Sequence, residues 1–304
     1  MGMIRKKKLR ADILRLNPRE DACQIARLIV CDGFLWDFNR ALEMALFRTF
    51  ASPGISGLLA RTGEFSRNGQ KRYDDTSLLM LQLLRHGYDS PQGRAALQRI
   101  NQTHAHFFIS NDDYLFVLST FMLDPIDWIA RFGWRRLSEH EKMALFIFWR
   151  NVGERMGIKS IPDSLESMRR FSGEYVQENF RFHDSNRVVS TATFTVVESW
   201  LPRRLRPFVR PVSAVLLDES TRRAVQLEAP GRFMAFIVPA VLKMRGRWLA
   251  VFGRSGEPDW PDGCRTYPKG YMVETLAPAS LLAVERKQRE LPSESIWDPE
   301  CNKV

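Results

Sequence analysis

Apolar residues recur along this chain at spacings of three and four, and the strict alternation of a half-buried strand is scarce. The pattern predicts an all-α protein, a single large domain of about ten helices. One helix runs from residue 19 through QIARLIV toward Cys31 and ends before Gly33. A second, FNRALEMALFRTF at 38–50, stops at the breaker triplet Ser52-Pro53-Gly54, and residues 55–61 make a short third. TGEFSRNGQ then reads as loop. Asp74 or Asp75 is the expected cap of the next helix, which continues through TSLLMLQLLRH to Gly87. Ser90 and Pro91 supply an N-cap and a first-turn proline ahead of QGRAALQRINQTHAHFF. Asn111 and Asp112 can cap YLFVLSTFMLD, which Pro125 interrupts, and Ser138 with Glu141 forms a capping box for EKMALFIFWRNVGERMG. Residues 162–179, 186–200 and 212–227 give three more helices.

The most apolar stretch, 233–252, contains Pro239, Lys243, Arg245 and Arg247. Its uninterrupted apolar part is well short of the roughly 20 residues a bilayer crossing needs, so it reads as a buried core helix or a re-entrant membrane-surface element. From Gly253 onward Pro, Gly and Asp dominate and the chain is expected to be mostly irregular. The resulting organisation is a basic N-terminal tail at 1–18, a helical domain at 19–280 and a C-terminal tail at 281–304.

Charge narrows the partners. The 304 residues carry a net charge of +10, concentrated in RKKKLR near the start and in WLPRRLRPFVR at 200–210. Arg interleaved with aromatic and aliphatic residues is more typical of a lipid-facing segment than of a base-reading helix. An anionic membrane surface is therefore expected over nucleic acid, with a solvated basic face as the plain alternative. The four cysteines show no metal-ligand spacing, and the basic start has no apolar core of a signal peptide. The expectation is a cytoplasmic protein with free thiols and a peripheral membrane contact. No phosphate-binding loop, dinucleotide fingerprint, nucleophile elbow or zinc-finger spacing occurs.

The chemistry concentrates between Gln70 and Arg135. On a helical wheel of residues 90–108, His104 aligns with Leu97, Ile100 and Phe107/Phe108 on the face that must meet the core, whereas His106 falls beside Arg99 and Gln102. An inward histidine has an ordinary reading as a hydrogen-bonded core residue. Arg72 and Thr76 stand four apart on the preceding helix and can project toward the same cavity; the ordinary reading of Arg72 is an ion pair with Asp74 or a neighbouring acid. A guanidinium, a hydroxyl and an imidazole lining an apolar space suit an anionic group in an apolar body. A haem answers that description, with His for the iron and Arg for a propionate.

QKRYDDT at 70–76, RINQTHAHFFISNDDYLFVLST at 99–120, FGWR at 132–135 and TYPKGYMVETLAP at 266–278 resemble the MpaB-type oxygenases, relatives of the latex-clearing rubber oxygenases. The likeness covers roughly residues 31–278. It implies an all-helical fold around a b-type haem, with Arg72 and Thr76 matching the family's Arg and Thr and His104, on the next helix, matching its proximal ligand. Rubber-cleaving members carry a lysine just before that Thr, and here the position is Asp75, which argues against rubber cleavage. Asp75 is read either as a helix cap or as a general acid or base on the distal side. The resemblance implies a haem-b-dependent oxygenase acting with O₂ on a hydrophobic small molecule, isoprenoid or lipid alkene. The alternative is a non-catalytic haem- or lipid-binding helical protein at a membrane surface. Asp74-Asp75 and Asp112-Asp113 could also suggest a two-carboxylate metal site, but the helix-borne Glu-x-x-His motif of such centres is missing.

Overall fold

Serine side chains begin many of the helices, because their oxygens accept the free N–H groups of a first turn. In the computed structural model, which describes residues 2–253 and 264–290, Ser90 Oγ accepts from the Gly93 N–H at 2.9 Å. Ser138 Oγ accepts from the Glu141 N–H at 3.3 Å. The Glu141 carboxylate in turn accepts from the Ser138 N–H at 2.8 Å, so the expected capping box forms. The described residues are all-α, with fourteen α-helices and no strand. In order they are α1 (Gly2–Arg15), α2 (Ala22–Arg27), α3 (Leu35–Phe50), α4 (Pro53–Thr62), α5 (Glu64–His86), α6 (Pro91–His104) and α7 (Asn111–Phe132). Then follow α8 (Glu139–Arg155), α9 (Leu165–Asn179), α10 (Asp184–Ser199), α11 (Val209–Leu216), α12 (Glu219–Ala224), α13 (Arg232–Phe252) and α14 (Ala279–Glu290).

Several boundaries differ from the sequence reading. TGEFSRNGQ is helical: α5 starts at Glu64 and runs to His86, with one non-helical residue, Asn68. One contact within α5 and one with α10 override the loop-like composition. Asn68 Nδ2 donates to Glu64 at 3.1 Å, and Gly69 lies so close to α10 that a Cβ there would meet Val196 Cγ2 at 2.7 Å. Asp74 and Asp75 consequently lie inside a helix and cap nothing. Ser110, not Asn111 or Asp112, caps α7, accepting from the Asp113 N–H at 3.1 Å. Pro125 does not end α7, whose residues on either side, Leu123 and Ile126, are held in the core. The helix expected over 212–227 divides at Leu217, where Asp218 opens α12 by accepting from the Thr221 N–H.

The main core lies among α2, α3 and α5–α8 and is dense in aromatics: Phe34, Phe38, Phe148 and Trp149 are fully enclosed. Each contributes roughly 1.5–3 kcal/mol of burial. A smaller cluster of Phe47, Phe50, Phe65, Val189 and Phe194 joins α3 and α5 to α10. Leu9 and Ile13 of α1 also enter the main core. The apolar stretch 233–252 is no buried core helix: along α13 only Val238 and Gly246 are buried, Leu242 packs against the core from its edge, and Phe233, Phe236, Met244, Trp248 and Phe252 are exposed.

Candidate active site

Helix α5 presents two chemically different sets of charged side chains. Three of its carboxylates, Glu64, Asp74 and Asp75, are buried, and each accepts several hydrogen bonds. Glu64 receives the Ser280 hydroxyl at 2.8 Å and the Ala279 and Ser280 N–H groups at 3.3 Å, which caps α14. Burial raises its pKa, but the hydrogen bonds from Ser280, Asn68 and Ala279 outweigh this and leave it lowered. Asp74 accepts from the Thr266 N–H at 2.9 Å, the Thr266 hydroxyl at 2.5 Å and Gln70 Nε2 at 3.0 Å. Asp75, fully enclosed, accepts from Tyr267 Oη at 2.6 Å and from Lys71 Nζ at 2.7 Å, and the same ammonium donates to the Ala277 carbonyl at 2.7 Å. Burial pushes the Asp75 pKa up, against the opposing pull of Lys71, Tyr267 and Arg72. The segment 264–280 is thereby tied down along α5. Arg99 extends the attachment to α6 by pairing with Glu285 at 2.8 and 3.2 Å.

Arg72 is different. It belongs to the same turn of α5, yet among the described residues its guanidinium makes no ion pair and no hydrogen bond; its one contact of note is the Phe65 ring, 5.9 Å from the centroid. Burial works against its charge, with Asp75 and Glu64 offsetting part of the penalty. Facing that field is His104, the last residue of α6. Its Nδ1 is buried without a hydrogen-bond partner, as is the hydroxyl of neighbouring Thr103. Tyr114 meets the ring edge-on at 5.5 Å. Burial first, and Arg72 second, hold the His104 pKa down at about 4, so the imidazole is neutral at pH 7 and keeps a lone pair.

The structure thus brings Arg72 and His104 within electrostatic reach of one another. Thr76 is exposed, and its hydroxyl donates to the Arg72 carbonyl at 2.9 Å, one turn back along α5. Neither ordinary reading applies: Arg72 is not paired with Asp74, and His104 Nδ1 is not a satisfied core group. The helical wheel does not extend past His104, because α6 ends there; Phe108 is 96% exposed and Arg99, expected to face outward with His106, is 5% exposed beneath α14. His183 caps α10, its Nδ1 accepting from the Ser185 N–H at 3.2 Å.

A groove of about 650 Å³ runs between α5 and α10 and is lined by apolar Phe65, Val188, Ala192 and Val196 together with polar Ser66, Arg67, Arg187 and Thr195. Neither Arg72 nor His104 lines it. Phe65 connects the two, since its ring forms one wall and also lies beneath the Arg72 guanidinium. Sequence reasoning missed Phe65 and Glu64 because it placed both in a loop. It missed Tyr114 because nothing local links that residue to His104. Asp113 accepts the Tyr175 hydroxyl, and among the described residues no three His, Cys, Asp or Glu side chains cluster.

Residues 40–243 match the family described as ER-bound oxygenase mpaB/B'/Rubber oxygenase, catalytic domain, a span that includes Arg72, Asp75, Thr76 and His104. The chain is similar to the ER-bound oxygenase mpaB of Penicillium roqueforti, with 30% identity over 224 residues covering 68% of this chain and 75% of that protein. It is 28% identical over 244 residues to the ER-bound oxygenase mpaB' of Penicillium brevicompactum, covering 74% and 58%. Over 147 residues it is 33% identical to the mpaB of the same species, covering 46% and 38%. The chain therefore spans less than two thirds of the length of both P. brevicompactum relatives.

Proposed function

Because the chain belongs to the family of MpaB-type and rubber oxygenases and carries its catalytic domain, we propose that it is a haem-b-dependent oxygenase acting with O₂ on a hydrophobic substrate of the isoprenoid or lipid-alkene class. One observation carries the cofactor assignment: a half-buried Arg72 that makes no ion pair among the described residues lies near a neutral His104 whose buried Nδ1 has no protein partner. A buried nitrogen without a partner is destabilising, so its retention near an unpaired guanidinium favours a ligand that engages both. An anionic apolar macrocycle with an iron fits this donor set: Arg72 would hold a propionate and His104 would bind the iron.

When bound, such a haem supplies O₂ activation for attack on an alkene. The chain's own residues do the rest. The low pKa of His104 keeps its lone pair available across the physiological range. Tyr114, edge-on to the imidazole, limits its rotation. Along the groove, Phe65 of α5 and Val188, Ala192 and Val196 of α10 offer an alkene apolar contacts. Thr76 is assigned to this site on the family resemblance; it is exposed, and its hydroxyl donates to the Arg72 carbonyl one turn back.

Asp75 favours a second reading, a haem- or lipid-binding protein without turnover. The resemblance puts a lysine here in rubber-cleaving relatives, and both oxygens of this carboxylate are engaged by Lys71 and Tyr267, which removes it from proton transfer. Oxygen uptake by the haem-loaded protein with squalene as alkene separates the two. Uptake that depends on His104 and yields a cleaved or oxygenated alkene supports the oxygenase; a haem-replete protein that consumes no O₂ over a panel of isoprenoid and fatty alkenes supports the binder.

The relatives are named as ER-bound, and no helix among the described residues is long and apolar enough to cross a membrane. The net charge of +10 supports peripheral contact with an anionic membrane surface.

A further inference from the structure

Along α13 the side chains Phe233, Ile237, Val241, Met244, Trp248 and Val251 follow one another at steps of three and four, which places them on one helical face. That face is open to solvent: Phe233 is 74% exposed, Met244 63% and Trp248 58%. The opposite face fixes α13 to the body. Gly246 lies against the end of α7, where a Cβ would come within 2.6 Å of the Phe132 carbonyl oxygen. Arg245 donates to Asp37 at 3.0 Å and stacks on Trp36 at 3.6 Å from the ring centroid. The helix is therefore held in place by one side while it presents an apolar stripe on the other. Exposed apolar surface of this continuity marks an interaction site.

Charge identifies the occupant. Residues 232–252 contain no Asp or Glu, and the exposed Arg232, Lys243 and Arg247 lie along one flank of the stripe. At the far end the Lys6 ammonium of α1 donates to the Leu249 and Ala250 carbonyls, satisfying orphan acceptors at the α13 C-terminus. The same turn of α1 brings exposed Lys7, Lys8 and Arg10 alongside. A second copy of this chain pairing about a two-fold axis would set this cationic flank against its own like, with no acid on α13 to offset it. An anionic bilayer offers apolar depth for the stripe and phosphates for the flank.

We infer that α13 is a membrane-docking helix that lies in the headgroup layer of an anionic phospholipid bilayer, its stripe from Phe233 to Val251 immersed and its cationic flank on the lipid phosphates. The inference rests on the membrane-contact part of the function proposed above and is independent of the haem. It gives the contact a surface that residues 200–210 alone do not.

Vesicle flotation tests it, with phosphatidylcholine vesicles with and without phosphatidylserine, and haem absorbance and circular dichroism recorded on every sample. Wild-type protein floats with the anionic vesicles. The double variant Met244→Glu/Trp248→Glu, changed only at exposed positions, loses partitioning by about tenfold or more while keeping its circular dichroism and haem content. Lys243→Glu/Arg247→Glu loses the preference for phosphatidylserine. A stripe variant that floats like wild type overturns the inference by placing docking elsewhere. So does wild-type protein that stays with the soluble fraction, including the case where it is a dimer that the stripe variant converts to monomer. Unchanged haem content in a non-floating variant separates failure of docking from failure of the haem assignment.

Discussion

Two sets of charges on α5, within a few turns of each other, are treated in opposite ways. Glu64, Asp74 and Asp75 are buried and each accepts two or more hydrogen bonds, all from its own helix or from the segment that begins at Cys264. Arg72, on the same helix, is half-buried and makes no ion pair among the described residues, and its field reaches an imidazole whose buried nitrogen has no partner. A fold has little reason to leave a half-buried guanidinium without a counter-charge and an imidazole nitrogen buried without a partner when carboxylates lie nearby. The satisfied set holds the chain together, and the unsatisfied set marks where something else binds.

The largest effect should come from the satisfied side. Asp75→Ala leaves Lys71 without its buried counter-charge and Tyr267 without an acceptor. It should cost about 3–5 kcal/mol in urea unfolding of the haem-free protein. Little or no loss would mean that this attachment is incidental.

Next is a pH effect that belongs to His104 alone. Its folded pKa is about 4 against an unperturbed 6.5, so as pH falls through that window the unfolded chain takes up the proton first. Stability should therefore fall between pH 6.5 and 4, by a few kcal/mol, and level off below. His104→Leu should flatten that part of the profile, measured by unfolding at a series of pH values.

Thr266→Val removes the hydroxyl that donates to the buried Asp74 carboxylate and leaves the backbone N–H bond in place. A hydrogen bond to a charged group is at stake, so the loss in unfolding free energy should be about 1.5–3 kcal/mol. The smallest changes belong to the unsatisfied side. Arg72→Met and His104→Leu should each alter the stability of the haem-free protein at pH 7 by less than about 1 kcal/mol, because no protein hydrogen bond is lost. Arg72→Met should also raise the His104 pKa, read by NMR titration, by removing the positive field that helps depress it. A large loss of stability in either variant would erase the contrast between the two sets.

The sequence made the helical class and the Ser90 and Ser138 caps legible, since capping is a local matter of oxygen placement and spacing. It also pointed to Arg72 and His104, because a cation and an imidazole near apolar helical faces stand out without any tertiary knowledge. The role of Asp75 was hidden. Its partner Tyr267 lies 192 positions away, and only the fold brings the two together. The start of α5 was hidden for a related reason: TGEFSRNGQ has loop composition, and its helicity depends on burying Phe65 and on the close approach of Gly69 to Val196. The outward face of α13 was hidden too, because an apolar run of helical length reads the same whether it meets a core or a membrane surface.

Titrating the haem-free protein with haemin, followed at the Soret band, asks whether the unsatisfied pair is the haem site, with wild type, His104→Ala and Arg72→Met run side by side. Wild type should saturate at one haem per chain, His104→Ala should lose or shift the Soret band, and Arg72→Met should bind more weakly with an unchanged axial spectrum. Saturation of all three proteins with the same affinity and spectrum, or no specific binding by wild type, would rule out Arg72 and His104 as the residues that hold a haem.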